Sequence, residues 1–93
     1  MEFEWDEDKE QINIKKHGID FSTAALVFGD NNRIEKYDGV HSDDEDRYIT
    51  IGSIGNMVVV MVVYTERSGA IRIISARIAS RREREAYYHA QEY

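Results

Sequence analysis

Five arginines crowd one short stretch of this chain. Residues 71–86 read IRIISARIASRREREA, with Arg72 and Arg77 in a strand-like segment and Arg81, Arg82 and Arg84 just after it. Ser80-Arg81-Arg82-Glu83 matches the S-x-x-E capping box, so a helix starts at Ser80 and carries Arg81 and Arg82 in its first turn. Cations are disfavoured there, because the free N–H groups already concentrate about half a positive charge. Folding alone would place carboxylates at that end. Guanidiniums added to an electropositive helix end instead suit an anion such as phosphate. A local rule broken in this way points to function. The competing reading is a solvated surface on which the arginines pair with Glu66, Glu83 and Glu85.

Strand alternation sorts the upstream arginines. Strict period-two spacing puts Arg77 on the face of Ile71, Ile73 and Ser75, and Arg72 on the face of Ile74, Ala76 and Ile78. Only one of the two then faces a given groove, and Arg77, Arg81 and Arg82 form the expected phosphate clamp. Arg67, in the Thr65-Glu66-Arg67 hairpin end, is the next candidate, with Glu66 as a base or as an orienter of arginine. His17 closes the first helix, where it is either an acid or base or simply a good partner for the helix dipole. His41 and His89 read as surface residues. Lys9, Asn13 and Lys16 share one helix stripe, a wet face or a set of contacts to a nucleic-acid backbone. Tyr64, Tyr87, Tyr88 and Tyr93 could stack on bases, although core or interface packing is the expectation for most of them.

Other chemistries find no support in the residues. There is no cysteine, no G-x-S-x-G and no glycine-rich phosphate loop, which removes thiolate sites, disulfides and the common hydrolase and nucleotide motifs. The acidic run Asp43-Asp44-Glu45-Asp46 fails the EF-hand spacing and reads as a solvated loop. No cofactor is expected.

The chain has 93 residues, 42% hydrophobic and 32% charged, the balance of one globular domain spanning 1–93. Its net charge of −6 argues against a nonspecific polyanion binder. The charge is uneven. Residues 1–63 hold fourteen acidic and six basic residues, whereas residues 64–93 hold four and six, so any nucleic-acid contact belongs to the last third. The acidic opening MEFEWDED is unlike a signal peptide, and the apolar run 57–64 is too short to span a bilayer. A cytoplasmic protein without membrane contact is the expectation.

The elements that must hold these residues follow from pattern. A short strand around Phe3-Glu4-Trp5 precedes a helix capped by Asp6 and closed at Gly18. Phe21, Ala24, Ala25 and Phe28 make one apolar stripe of a second helix, with Asp20 or Ser22 as cap. Strands follow at 33–37, 47–51, 57–65 and 71–78, and short turns between them imply antiparallel neighbours. The expected order is β-α-α-β-β-β-β-α, an α+β fold with helices on an antiparallel sheet.

Within that order FEWDEDK, NIKKHGIDFSTAALVF, DRYITIG and YTERSGAIRIISARIASRREREAY resemble the BrnT family of type II toxin–antitoxin systems. The resemblance implies a RelE-like fold and an endoribonuclease toxin that cuts RNA without a metal, by attack of the ribose 2′-OH on the adjacent phosphate. It further implies a BrnA-like antitoxin with a ribbon-helix-helix segment, through which alone operator DNA would be bound. Arg67, Arg77, Arg81, Arg82, Glu66 and His17 are the expected catalytic set, with Lys9, Lys16, Arg72 and Arg84 as further RNA contacts. A noncatalytic nucleic-acid-binding or partner-binding module is the alternative.

Overall fold

The computed structural model describes residues 1–92; Tyr93, one of the aromatic candidates, lies outside them. Strand β1 (Glu2–Glu4) leads into helix α1 (Glu7–His17) and helix α2 (Phe21–Ala24), which tightens into a 3₁₀ turn over Ala25–Gly29. Strands β2 (Ile34–Tyr37), β3 (Tyr48–Ser53), β4 (Val59–Arg67) and β5 (Ala70–Ile78) follow, and helix α3 (Arg81–Ala90) comes last. A short 3₁₀ turn, Gly39–His41, interrupts the connection from β2 to β3.

The helix ends obey local chemistry. Asp6 accepts the Lys9 N–H at 3.0 Å to start α1, and Gly18, at φ +74°, closes it in the left-handed region that glycine enters without penalty. Asp20 caps α2 through the Thr23 N–H. At α3 both halves of the capping box form, Glu83 N–H to Ser80 Oγ and Ser80 N–H to Glu83 Oε1. Ser68 and Gly69, both at positive φ, make the two-residue turn that sets β4 beside β5.

The sheet order is β1-β5-β4-β3-β2. Neighbours from β2 to β5 are antiparallel, but β1 runs parallel to β5, with Glu4 opposite Arg72. The sheet is therefore mixed, which corrects the expectation of a purely antiparallel one. The connection from β1 is long enough, through two helices and three strands, to return the chain beside it in either sense.

Both faces are covered, unequally. Ile19, Phe21, Ala24, Val27 and Phe28 pack on Val60, Val62, Tyr64, Ile71, Ile73 and Ala76 to fill one face. On the other, α3 lays Tyr87 against Ile51, Val59, Met61 and Ala79. The α3 cluster stops at β3 and β4, leaving the same face of β5 and β1 to polar side chains.

Strand β5 departs from strict alternation. Val63 pairs with Ser75 but Tyr64 pairs with Ile73, so Ile74 is an extra residue, a β-bulge. Ala76 consequently packs with Ile71 and Ile73 rather than opposite them. Beyond the three residues of β1, the outer edge of β5 is closed by a side chain. The Asn13 amide accepts the Ala76 N–H at 3.1 Å and donates to the Ala76 carbonyl at 2.9 Å and to that of Ile19 at 3.0 Å. A carboxamide thus stands in for a missing strand.

Candidate functional site

The bulge rearranges the arginines. Before it, Arg72 alternates with the buried pair Ile71 and Ile73, and after it Arg77 alternates with buried Ala76. Both arginines therefore point to the α3 side of the sheet, where Arg67, opposite Ala70 at the end of β4, joins them. The expectation that Arg72 and Arg77 occupy opposite faces is corrected by this single extra residue. Along β5 the Cα atoms of Arg72 and Arg77 are four ladder steps apart, roughly 13 Å, with Ser75 between them. Arg67, Arg72 and Arg77 form a row along a strand direction rather than a clamp on one point.

Each guanidinium in the row holds a carboxylate. Arg77 grips Glu83 with two hydrogen bonds, 2.7 and 3.0 Å. Arg67 grips Glu45 likewise, Nη2 to Oε1 at 2.8 Å and Nε to Oε2 at 3.0 Å. Arg72 has only a single, long contact, Nη1 to Glu4 Oε2 at 3.4 Å. Charges respond accordingly. The Arg67 guanidinium holds the Glu45 carboxyl below its usual value and is itself pushed up by that partner. Burial raises Glu83, but its bonds from Arg77 and the Ser80 N–H outweigh this and leave it lowered. The acidic loop reaches the row because Thr65, buried on this face, donates to the Asp46 carbonyl at 2.7 Å.

The first turn of α3 keeps its arginines apart from Arg77: Arg81, Arg82 and Arg84 border a hollow on α3 that Arg77 does not reach. Glu83 already supplies a carboxylate to that end, and Arg77 neutralises it. Arg81 turns outward to Glu85 at 3.1 Å, and Arg84 donates to the Ala79 carbonyl at 3.1 Å. Arg82 makes no hydrogen bond or ion pair among the described residues. It borders a shallow apolar groove of about 280 Å³ between α3 and strands β2 and β3, with Ile34, Ile49, Ile51 and Ala86. The structure does not gather Arg77, Arg81 and Arg82 into one pocket. Glu66 lies on the opposite face from Arg67, since it pairs with Ile71 of the other core. The parity of β4 thus separates Glu66 from the arginine row.

A second basic feature borders the bulge. Lys9, Lys16 and His17 line a groove of about 200 Å³ with Ile12, Asn13, Ile74 and Ser75. The side chains of Lys9, Lys16 and His17 form no hydrogen bond or ion pair among the described residues, whereas Asn13 is consumed by the β5 edge. Ser75 belongs both to this groove and to the arginine face, which makes the two surfaces adjoin. Of the tyrosines, Tyr64 and Tyr87 are core residues and Tyr88 is exposed on α3. Among the described residues no group of three or more His, Asp or Glu side chains is placed to hold a metal ion.

The residues that sequence reasoning passed over are Glu4 and Glu45, which each reach an arginine of the row, whereas Glu83 was already an expected arginine partner. Alternation within β1 was the available signal for Glu4, since it stands out of phase with core-packed Phe3.

The profile of the family described as ribonuclease toxin, BrnT, of type II toxin–antitoxin system matches residues 5–83. The fold is similar to the crystal structure of the Brucella abortus ribonuclease toxin BrnT, with a TM-score of 0.65 and 30% identity, over 87% of this chain and 99% of that one. No curated protein matches the chain. The matched region runs from the strand-to-helix junction at Trp5 to the carboxylate that holds Arg77, and it takes in the whole arginine row. This chain belongs to the BrnT family of ribonuclease toxins of type II toxin–antitoxin systems.

Proposed function

We propose that the chain is one RelE-like domain acting as a metal-independent endoribonuclease on single-stranded RNA, with its site on the arginine face of the sheet. The observation that carries this reading is the alignment of Arg67, Arg72 and Arg77 on one face by the β5 bulge. A row spaced along a strand suits successive backbone phosphates. Guanidinium forks that hold carboxylates can exchange them for phosphate oxygens, which have similar geometry. Three such groups supply the positive charge that a phosphorane requires, and this is the basis for assigning the reaction no metal. The ribose 2′-OH attacks the adjacent phosphate, the 5′ oxygen leaves, and a cyclic phosphate remains. Lys9 and Lys16 then hold the RNA as it crosses the bulge, and His17 beside them is the acid candidate. Arg81, Arg82 and Arg84 on α3 are reserved for outer RNA or partner contacts.

A type II toxin–antitoxin family supports an antitoxin partner, and its kind is part of this proposal. A BrnA-like antitoxin with a ribbon-helix-helix segment covers the arginine row with carboxylates of its own, binds operator DNA for the pair, and acts in the cytoplasm. An acidic toxin whose exchangeable arginine pairs lie on one face directs such a partner to that face.

The test is incubation of purified protein with 5′-labelled single-stranded RNA in the presence of EDTA. Product ends carrying cyclic phosphate are expected. R72A should keep its circular dichroism and melting temperature while kcat falls by roughly 10²- to 10³-fold, the loss typical of a charged transition-state donor. A folded triple alanine variant of the row with full activity would refute the site. Because every arginine of the row is already ion-paired, a purely binding module is the second reading. A salt-sensitive shift of RNA without products would select it.

A further inference from the structure

We infer that Glu4 is the general base of the cleavage, an assignment that rests on the ribonucleolytic reading of the arginine face. Four carboxylates stand on or reach that face: Glu2, Glu4, Glu45 and Glu83. A base needs an oxygen that is free to accept a proton. Glu83 has none to spare, because Oε1 takes both Arg77 Nη1 and the Ser80 N–H while Oε2 takes Arg77 Nη2. Both oxygens of Glu45 are held by Arg67, and Glu45 sits on a loop rather than a strand. Glu2 stands opposite Ala70, one strand away from Arg67, and makes no hydrogen bond or ion pair to an arginine among the described residues.

Glu4 is different on each count. It stands on β1 in register with Arg72, and its charge also reaches Arg67 across β5. Its Oε2 makes the one 3.4 Å contact to Arg72, Oε1 makes none, and the side chain is 43% exposed. A phosphate that displaces this weak contact and binds Arg67 and Arg72 brings its neighbouring ribose next to the released carboxylate. Glu4 takes the proton of the 2′-OH, and the 2′ oxygen bonds to phosphorus. The bond from phosphorus to the 5′ oxygen then breaks, and that oxygen takes a proton from the acid, for which His17 is the candidate. Strand placement gives the base the fixed geometry that a loop carboxylate lacks.

The experiment compares wild type, E4Q, E4D and E4A on a 5′-labelled single-stranded RNA oligonucleotide, with circular dichroism and thermal melting as controls of folding. E4Q should lower kcat by roughly 10²- to 10⁴-fold. Its KM should stay level or fall, because one negative charge leaves the phosphate path. The limb of the pH–rate profile in which activity drops on acidification should disappear with it. E4D should recover part of the rate, and added acetate should partly rescue E4A, which a merely structural loss would not allow. E4Q cleaving within threefold of wild type, with its acid limb intact, would overturn the assignment while leaving the ribonuclease reading in place. A wild-type protein that cleaves no RNA would end both.

Discussion

At the scale of single residues, polar side chains are shared between folding and chemistry through their partners. Asp30 shows the folding side. Its Oδ2 accepts the Ser53 N–H at 2.8 Å and the Tyr87 hydroxyl, and its Oδ1 accepts the Asn32 N–H at 2.9 Å, which ties α3 to the turn after α2. Burial raises Asp30, but these three donors outweigh it and hold its carboxyl below the usual value. Burial, and then the bond to Asp30, push the Tyr87 hydroxyl up to about 12 from its ordinary 10.0. A raised value in the fold means that the neutral hydroxyl is the stabilised form. Its contribution is whole below pH 10 and is lost as pH climbs toward 12. Y87F should therefore be less stable at pH 8 by about 1.5–3 kcal/mol in urea denaturation, and should lose less than wild type between pH 9.5 and roughly 11.5. Tyr64, also raised to about 12, leaves some alkaline loss in both proteins. Equal alkaline slopes in the two would sink the assignment. The arginines were legible in the sequence as charges, and so were the nearby partners Glu83 and Glu85, but the distant ones were not. Glu4 and Glu45 lie 68 and 22 residues from the arginines they meet, and no local pattern announces such pairs.

At the scale of elements, the sequence announces ends better than interiors. Asp6, Gly18, Asp20 and Ser80 are caps with short-range partners, so each could be read from neighbouring residues. The extra residue at Ile74 leaves no such trace, because IRIISAR is as compatible with unbroken alternation as with a bulge. Only the choice of which residues meet the core, Ala76 rather than Ser75, decides it. That choice sends Arg77 to the face of Arg72. Asn13 was similarly opaque: by spacing it belongs to the stripe of Lys9 and Lys16, yet it is 5% exposed and bonded to two backbone carbonyls and one N–H. N13A would leave these groups buried without partners beside the bulge. A loss of about 2–4 kcal/mol is expected in urea denaturation. The β5 edge should also open, so amide exchange at Ala76 should accelerate sharply. A variant as stable as wild type, with Ala76 still protected, would mean that water closes the edge unaided.

At the scale of the molecule, one arginine-bearing face, its guanidiniums held by carboxylates, is set in an acidic body. The sequence showed the asymmetry, −8 over residues 1–63 against +2 over residues 64–93, but not its shape. The fold concentrates it, because β4, β5 and α3 all belong to the last third, while α1 adds Lys9 and Lys16 beside the bulge. Acidic groups elsewhere on the body repel a strand that strays from this path. RNA affinity should then depend on salt through few contacts. With about 0.7 counterions released per single-strand phosphate contact, the row alone predicts a slope of log affinity on log salt near −2, and the two lysines extend it toward roughly −3.5. R67A and R72A should each flatten the slope by about 0.7, and K9A with K16A by about 1.4 together. E45Q should act oppositely, tightening binding because Arg67 no longer exchanges one anion for another. Measurement by fluorescence anisotropy between 50 and roughly 300 mM salt, with a labelled RNA too short to bind twice, separates these cases. A slope near zero, or one indifferent to Arg67 and Arg72, would move the RNA path off the sheet face and onto α3, where Arg81, Arg82 and Arg84 would be the residues to test next.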